Sequence, residues 1–327
     1  MSKPRLAHDI MVKKLHTLQP EQNVMQGIRQ LLKCRISGAP VIDQHGIYQG
    51  VFSEKCCMNL LSKAARLATE RGKSERIHRV RAMDIMQTKL VTLTPDMDVF
   101  DAIGFLLKNR ISGSPVIDAE GDYIGVFSEK GSMDVVIESA YSQLPTTRVS
   151  TFMDADRGRV IHEHTDLLTI ARIFLETPYR RLIVLRDDKL VGQISRRDVL
   201  NTQVRLSEDV WNENTILDQP LHMVDTVNLT ETTVKKRPPR VYEFMDTSAR
   251  TVTEEDDLLS IAQIFRSTPY RRLPVLNGHH LAGQVSRRDL LSAAHHQMAV
   301  ASPADSNLLY LSSLMDRQQS PIASRNH

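Results

Sequence analysis

Residues 178–200 read PYRRLIVLRDDKLVGQISRRDVL, and residues 269–291 read PYRRLPVLNGHHLAGQVSRRDLL. Each copy opens on an arginine pair, Arg180-Arg181 or Arg271-Arg272, and closes on Ser-Arg-Arg-Asp at 195–198 or 286–289. Arginine pairs set so close repel one another unless an anion lies among them. The residues between them set a local order. A four-residue apolar run, too short for a helix, follows the first pair. A turn, RDDK or NGHH, comes next, then a second strand carrying Gly192 or Gly283, then a helix entered at serine.

The same plan recurs toward the N-terminus. DIMVKKLHTLQPEQNVMQGIRQLLKCRISGAPVIDQHGIYQGVFSEK starts at Asp9, and a sequence matching it without a gap starts at Asp84. The chain is therefore four copies of one unit. Val24, Met25, Ile28, Leu31 and Leu32 fall on one face of a helix in the first copy, and Leu167, Ile170, Ala171 and Phe174 do so in the third. The unit reads β-α-β-β-α. One such unit cannot bury both faces of a small sheet, so copies should pair. The expected division is 1–66, 80–142, 148–204 and 241–297 for the repeats, with 205–240 a partly packed linker and 298–327 a tail.

Bulk composition excludes several classes. The 327 residues carry a net charge of +3, too mild to point to nucleic acid. Only Tyr179 and Tyr270 supply, beside the arginine clusters, the aromatics that base stacking needs, so a nucleic-acid binder is not expected. No run of about 20 apolar residues exists, so no membrane span is expected. The start, MSKPRLAHDIMVKK, lacks an apolar signal core. Cys34, Cys56 and Cys57 form neither a disulfide framework nor a metal-site spacing, and a reduced, cytoplasmic setting is expected. His279-His280 and His295-His296 lack the spacing of helix metal ligands, and no P-loop, HExxH, nucleophile elbow or dinucleotide-fold glycine pattern occurs. An enzyme is not expected.

The ordered set of Gly-x-Pro-Val-Ile-Asp, a glycine strand and a Ser-entered helix resembles the cystathionine-β-synthase (CBS) domain. The resemblance covers nearly the whole chain in four copies. It implies an α+β (mixed α/β) fold arranged as two tandem pairs, the first repeat with the second and the third with the fourth, as one four-motif disc or a homodimer. It also implies clefts that hold AMP, ADP or ATP, as in adenine-nucleotide-sensing regulators such as the gamma subunit of AMP-activated protein kinase. S-adenosylmethionine is an alternative adenosyl ligand.

The nucleotide motif of that family, Gly-h-x-Ser-x-x-Asp, is intact at Ser195 and Asp198 and at Ser286 and Asp289. A carboxylate accepts two hydrogen bonds from vicinal ribose hydroxyls, and a helix N-terminus suits phosphate. Arg197 and Arg288 lie where they can close on that phosphate, and Arg180, Arg181, Arg271 and Arg272 match the family's basic pair. Tyr179 and Tyr270 offer a flat face to adenine, and Arg157-Gly158 and Ala249-Arg250 match the adenine edge loosely. The first two copies depart from the motif, with Cys56 and Gly131 at the aspartate position and Glu54 and Glu129 beside the serine. Nucleotide binding is expected in repeats 3 and 4 only. The Ser-x-x-Asp boxes also fit plain helix capping, which would be served without arginines. The expected role is a regulatory nucleotide sensor with an undefined client protein; a repeat-built scaffold is the competing expectation.

Overall fold

The computed structural model describes residues 6–60, 79–141, 147–211 and 238–299. Two expectations fall outside them for the most part: packing of the linker's apolar residues, which lie largely within 212–237, and the tail beyond 299. Repeat 1 holds α1 (Ala7–Ile10), α2 (Val24–Lys33), β1 (Gly38–Ile42), β2 (Tyr48–Ser53) and α3, helical over 54–60. Repeat 2 holds α4 (Ala82–Ile85), α5 (Val99–Lys108), β3 (Gly113–Ile117), β4 (Tyr123–Ser128) and α6 (Gly131–Tyr141). Repeat 3 holds α7 (Val149–Phe152), β5 (Val160–His162), α8 (Leu167–Glu176), β6 (Arg181–Arg186), β7 (Lys189–Ser195) and α9 (Arg196–Trp211). Repeat 4 follows a short turn at Val241–Glu243 with β8 (Val252–Thr253), α10 (Leu258–Ser267), β9 (Arg272–Asn277), β10 (His280–Ser286) and α11 (Arg287–Ala299).

The mixed α/β class and the β-α-β-β-α order hold. Strands β5 and β8 run parallel to β6 and β9, which pair antiparallel with β7 and β10. In repeats 1 and 2 the first strand shrinks to single parallel bridges, Leu18 to Val41 and Leu93 to Val116. The first long helix of every repeat begins at a capped residue. Asn23, Asp98, Asp166 and Asp257 each accept hydrogen bonds from the second and third backbone N–H groups of the helix.

The compact units join repeats that are not neighbours in the chain. One compact unit joins His16–Lys89 to Arg159–Ala249, and so repeat 1 to repeat 3; the other joins Leu90–Gly158 to Met1–Leu15 and Arg250–His327, and so repeat 2 to repeat 4. The cores state the reason. Val24, Ile28 and Leu31 of α2 share one apolar cluster with Leu167, Ile170 and Phe174 of α8, while Val99, Ile103 and Leu106 of α5 share the other with Leu258, Ile261 and Phe265 of α10. Burying each such side chain stabilises by about 1.5–3 kcal/mol. All four helices carry the same face, so sequence periodicity alone does not choose partners.

The opening segment of each repeat packs on another repeat as well. Met11 packs over Gly283, Met86 over Gly192 and Met153 over Gly125; a Cβ on these glycines would lie 2.7, 2.5 and 3.0 Å from the sulfur. The fourth segment approaches by its backbone: a Cβ on Gly50 would lie 2.6 Å from the Asp246 carbonyl oxygen. The glycine of each second strand is the seat for a segment from another repeat.

Candidate functional site

A zipper of backbone contacts brings the sequence-predicted groups together. Arg181 lies directly opposite Ser195 in the β6–β7 ladder, and Arg272 opposite Ser286 in β9–β10. The first N–H of α9 donates to the Arg180 carbonyl, and that of α11 to the Arg271 carbonyl. Each arginine pair therefore stands beside the helix entry. There the Ser195 hydroxyl and N–H donate to Asp198 Oδ2 at 2.6 and 2.8 Å; the Ser286 hydroxyl and N–H donate to Asp289 Oδ2 at 2.7 and 2.8 Å. Both boxes cap their helices, as the structural reading of the motif predicts. They engage Oδ2 only and leave the other carboxylate oxygen outside the cap.

The anion among the arginines belongs to the chain. In the unit of repeats 1 and 3, Arg197 Nε donates to Glu54 Oε1 at 3.2 Å, and Arg180 Nη2 stands 3.9 Å from Oε2. In the unit of repeats 2 and 4, Arg271 donates to both oxygens of Glu129 at 3.1 and 3.3 Å, and Arg288 Nη2 stands 3.2 Å away. Glu54 and Glu129 are buried, at 6% and 2% exposure, so each is a desolvated counter-ion rather than a surface partner. The two glutamates thus face the arginines of repeats 3 and 4 from across the unit. The Ser–Asp boxes of repeats 3 and 4 sit in separate units, each beside a glutamate from repeat 1 or 2.

The remaining arginine of each box has another task. Arg196 and Arg287, both 5% exposed, turn inward. Arg196 Nη2 donates to the carbonyls of Phe174 and Thr177 at 3.1 Å each; Arg287 Nη2 donates to those of Phe265 and Thr268 at 2.7 and 2.8 Å. Each positive charge caps the C-terminal end of a helix in its own repeat, where the dipole favours it. Burial lowers the pKa of both, that of Arg287 to about 10, against the pull of Glu54 and Glu129.

Some predicted residues are placed elsewhere. Arg157 and Gly158 are exposed and fall with repeat 2, where Arg157 Nη2 reaches the Tyr123 carbonyl at 3.5 Å. Arg159 joins repeat 3 instead, its guanidinium 4.9 Å from the Tyr179 ring centre, so it covers one face of that tyrosine. Ala249 falls in the unit of repeats 1 and 3, and the exposed Arg250 in the other. Tyr270 is half-buried, packed against the core of its own unit.

The helix entries of repeats 1 and 2 are filled. A Cβ on Gly131 would lie 2.5 Å from the Phe152 carbonyl oxygen, so no aspartate fits there. Cys56 holds the matching place in repeat 1 with its thiol 3.3 Å from the Ser53 hydroxyl. Burial raises the pKa of Cys56, and that of the fully buried Cys57 further, which disfavours a reactive thiolate. Among the described residues no helix is long and apolar enough to cross a membrane, and no cluster of three metal-ligating side chains occurs.

Sequence reasoning missed Glu54 and Glu129 as partners of the arginines. The signal was present: they align with Arg196 and Arg287 and carry the opposite charge.

A family model described as CBS domain matches residues 7–63, 82–131, 151–205 and 241–296, well over half of the chain. Protein MJ1225 of Methanocaldococcus jannaschii is 23% identical over 285 residues, covering 85% of this chain and 95% of that protein. The chloroplastic CBS domain-containing protein CBSX1 of Arabidopsis thaliana is 30% identical over 145 residues, covering 36% of this chain and 60% of that one. The crystal structure of CBSX2, from the same plant, in complex with AMP covers 39% of this chain and 98% of its own at 29% identity, with a TM-score of 0.35.

Proposed function

Because the chain belongs to the CBS-domain family, we propose that it is a regulatory protein that binds adenine nucleotides, AMP, ADP or ATP, at the arginine clusters of repeats 3 and 4, without catalysis of its own. One observation carries this reading. In each unit, an arginine from a strand start and an arginine from a helix entry converge on one carboxylate, beside a Ser–Asp box. Two guanidinium groups against one carboxylate leave a positive charge that a phosphoryl group neutralises, with bidentate geometry available. The aspartate oxygen outside each cap accepts from a ribose hydroxyl. Binding there joins the phosphate to residues of two repeats at once. A ligand favouring one arrangement of those repeats shifts the population toward it, and a client protein reads the shift.

A scaffold role is the second reading, favoured by the internal glutamates, which hydrogen-bond Arg197 and Arg271 without any ligand. A thermal-unfolding series separates the two. Ligand at a hundredfold excess over its Kd stabilises a folded chain by about 2.7 kcal/mol, so millimolar AMP, ADP or ATP raises Tm. Asp198→Asn with Asp289→Asn keeps a capping oxygen and removes the carboxylate charge, and it abolishes the rise; Cys56→Ala does not. No rise with any of the three nucleotides leaves the scaffold.

A further inference from the structure

The two arginine–glutamate clusters are built from matching residues and connected differently. Glu54 faces the helix-entry arginine: Oε1 accepts from Arg197 Nε at 3.2 Å and lies 3.0 Å from Nη2, while Arg180 stands off at 3.9 Å. Glu129 faces the strand-start arginine instead and accepts from both Nε and Nη2 of Arg271. Arg288 is left beside that pair. Its Nη2 lies 3.2 Å from Glu129 Oε1, near enough for ion attraction but off hydrogen-bond alignment. Both Nε and Nη2 of Arg288 are buried atoms with no hydrogen-bond acceptor among the described residues.

Buried charged donors without acceptors are costly, and these two point the same way, as the two teeth of one guanidinium fork. A group carrying two oxygens on one atom satisfies both at once, and a phosphoryl group does so with matching charge. In the other unit the equivalent fork is already spent on Glu54.

We propose that the fork of Arg288 is a phosphoryl seat whose donors the chain leaves unsatisfied, whereas the matching seat at Arg197 is taken by Glu54 and is freed only when that carboxylate is displaced. The nature of the whole ligand rests on the nucleotide reading above; the unsatisfied fork itself does not. The consequence is ordered filling. The first ligand takes the unit of repeats 2 and 4, with Glu129 remaining on Arg271. The second must break the Glu54–Arg197 contacts and binds more weakly.

Calorimetric titration of the full chain tests this with two probes in separate runs, AMP and inorganic pyrophosphate. AMP binds in two steps, the second at least tenfold weaker. Arg288→Lys keeps the charge beside Glu129 without the fork, and it weakens the first step at least tenfold. Glu54→Ala brings the second step toward the first. Should Glu54→Ala fail to fold, Glu54→Gln gives the same direction of change. Two equal AMP sites in the unaltered chain, or a tight site indifferent to Arg288→Lys, overturn the inference while nucleotide binding stands. Pyrophosphate binding that needs Arg288, with no binding of AMP, upholds the inference and removes the nucleotide reading. Binding of neither probe overturns both.

Discussion

Glu54 and Glu129 hold in repeats 1 and 2 the position that Arg196 and Arg287 hold in repeats 3 and 4, one residue after the box serine. The backbone confirms the match: Glu54 and Glu129 donate N–H to the carbonyls of Ser37 and Ser112, as Arg196 and Arg287 do to Arg180 and Arg271. What differs is how the preceding helix ends. In repeats 1 and 2, Arg35 and Arg110 turn left-handed at φ 53° and 54°. The N–H of Ile36 then donates back to Leu31, and that of Ile111 to Leu106, closing the helix on itself. In repeats 3 and 4 the chain leaves the helix extended at Thr177 and Thr268, and the late carbonyls need outside donors. Arg196 and Arg287 supply them. Where the helix caps itself, the same position is released to carry a carboxylate across the unit to the arginines of another repeat. The comparison teaches that the way one helix ends decides whether a nearby residue serves its own repeat or its partner.

Four changes probe that contrast, the largest first. Gly131→Asp imposes the aspartate of repeats 3 and 4 on repeat 2, where the Phe152 carbonyl blocks it; a loss above about 4 kcal/mol by urea unfolding is expected. Glu129→Ala strips two arginines of their shared carboxylate. It costs about 3 kcal/mol, the lower end for a broken buried pair because the arginines remain 21% and 28% exposed. Added inorganic phosphate restores part of it.

Arg287→Gln removes the outside cap of α10 and costs about 2 kcal/mol near neutral pH. The change also has a pH signature. With its folded pKa lowered by burial to about 10, below that of an unfolded arginine, Arg287 holds fewer protons folded than unfolded between those two values. Its contribution to stability therefore rises with pH across that window, and the penalty for keeping it charged is full below it. Urea midpoints taken at about pH 9 and about pH 11 should show the gap between the natural chain and Arg287→Gln widening. The smallest effect is a gain: Arg110→Gly relieves a left-handed side-chain residue and stabilises by about 1 kcal/mol, whereas Thr268→Gly, on extended backbone, gives no such gain.

Much of this was legible in the amino-acid sequence. The repeat order, the apolar faces and the Ser–Asp boxes follow from local periodicity and capping chemistry, and the structure places each as read. Leu32 alone among the named face residues of α2 sits half-exposed, at the edge of the core. Partner choice was not legible, because four similar faces satisfy one another equally well in any pairing. The packing of the opening segments was hidden for a related reason. Met11 and Gly283 are far apart in the chain, and their contact is a matter of shape that no spacing encodes. The two carboxylates are visible in the sequence, but the arginines that meet Glu54 and Glu129 come from repeats far along the chain, and only the fold brings them together.

A double-mutant cycle on Glu129 and Arg271, each changed to Gln singly and together, tests the pairing of repeat 2 with repeat 4 most directly. A coupling energy of at least about 1.5 kcal/mol, typical of close charge pairs, is predicted from unfolding free energies. Additivity within about 0.5 kcal/mol, the behaviour of distant residues, would contradict it.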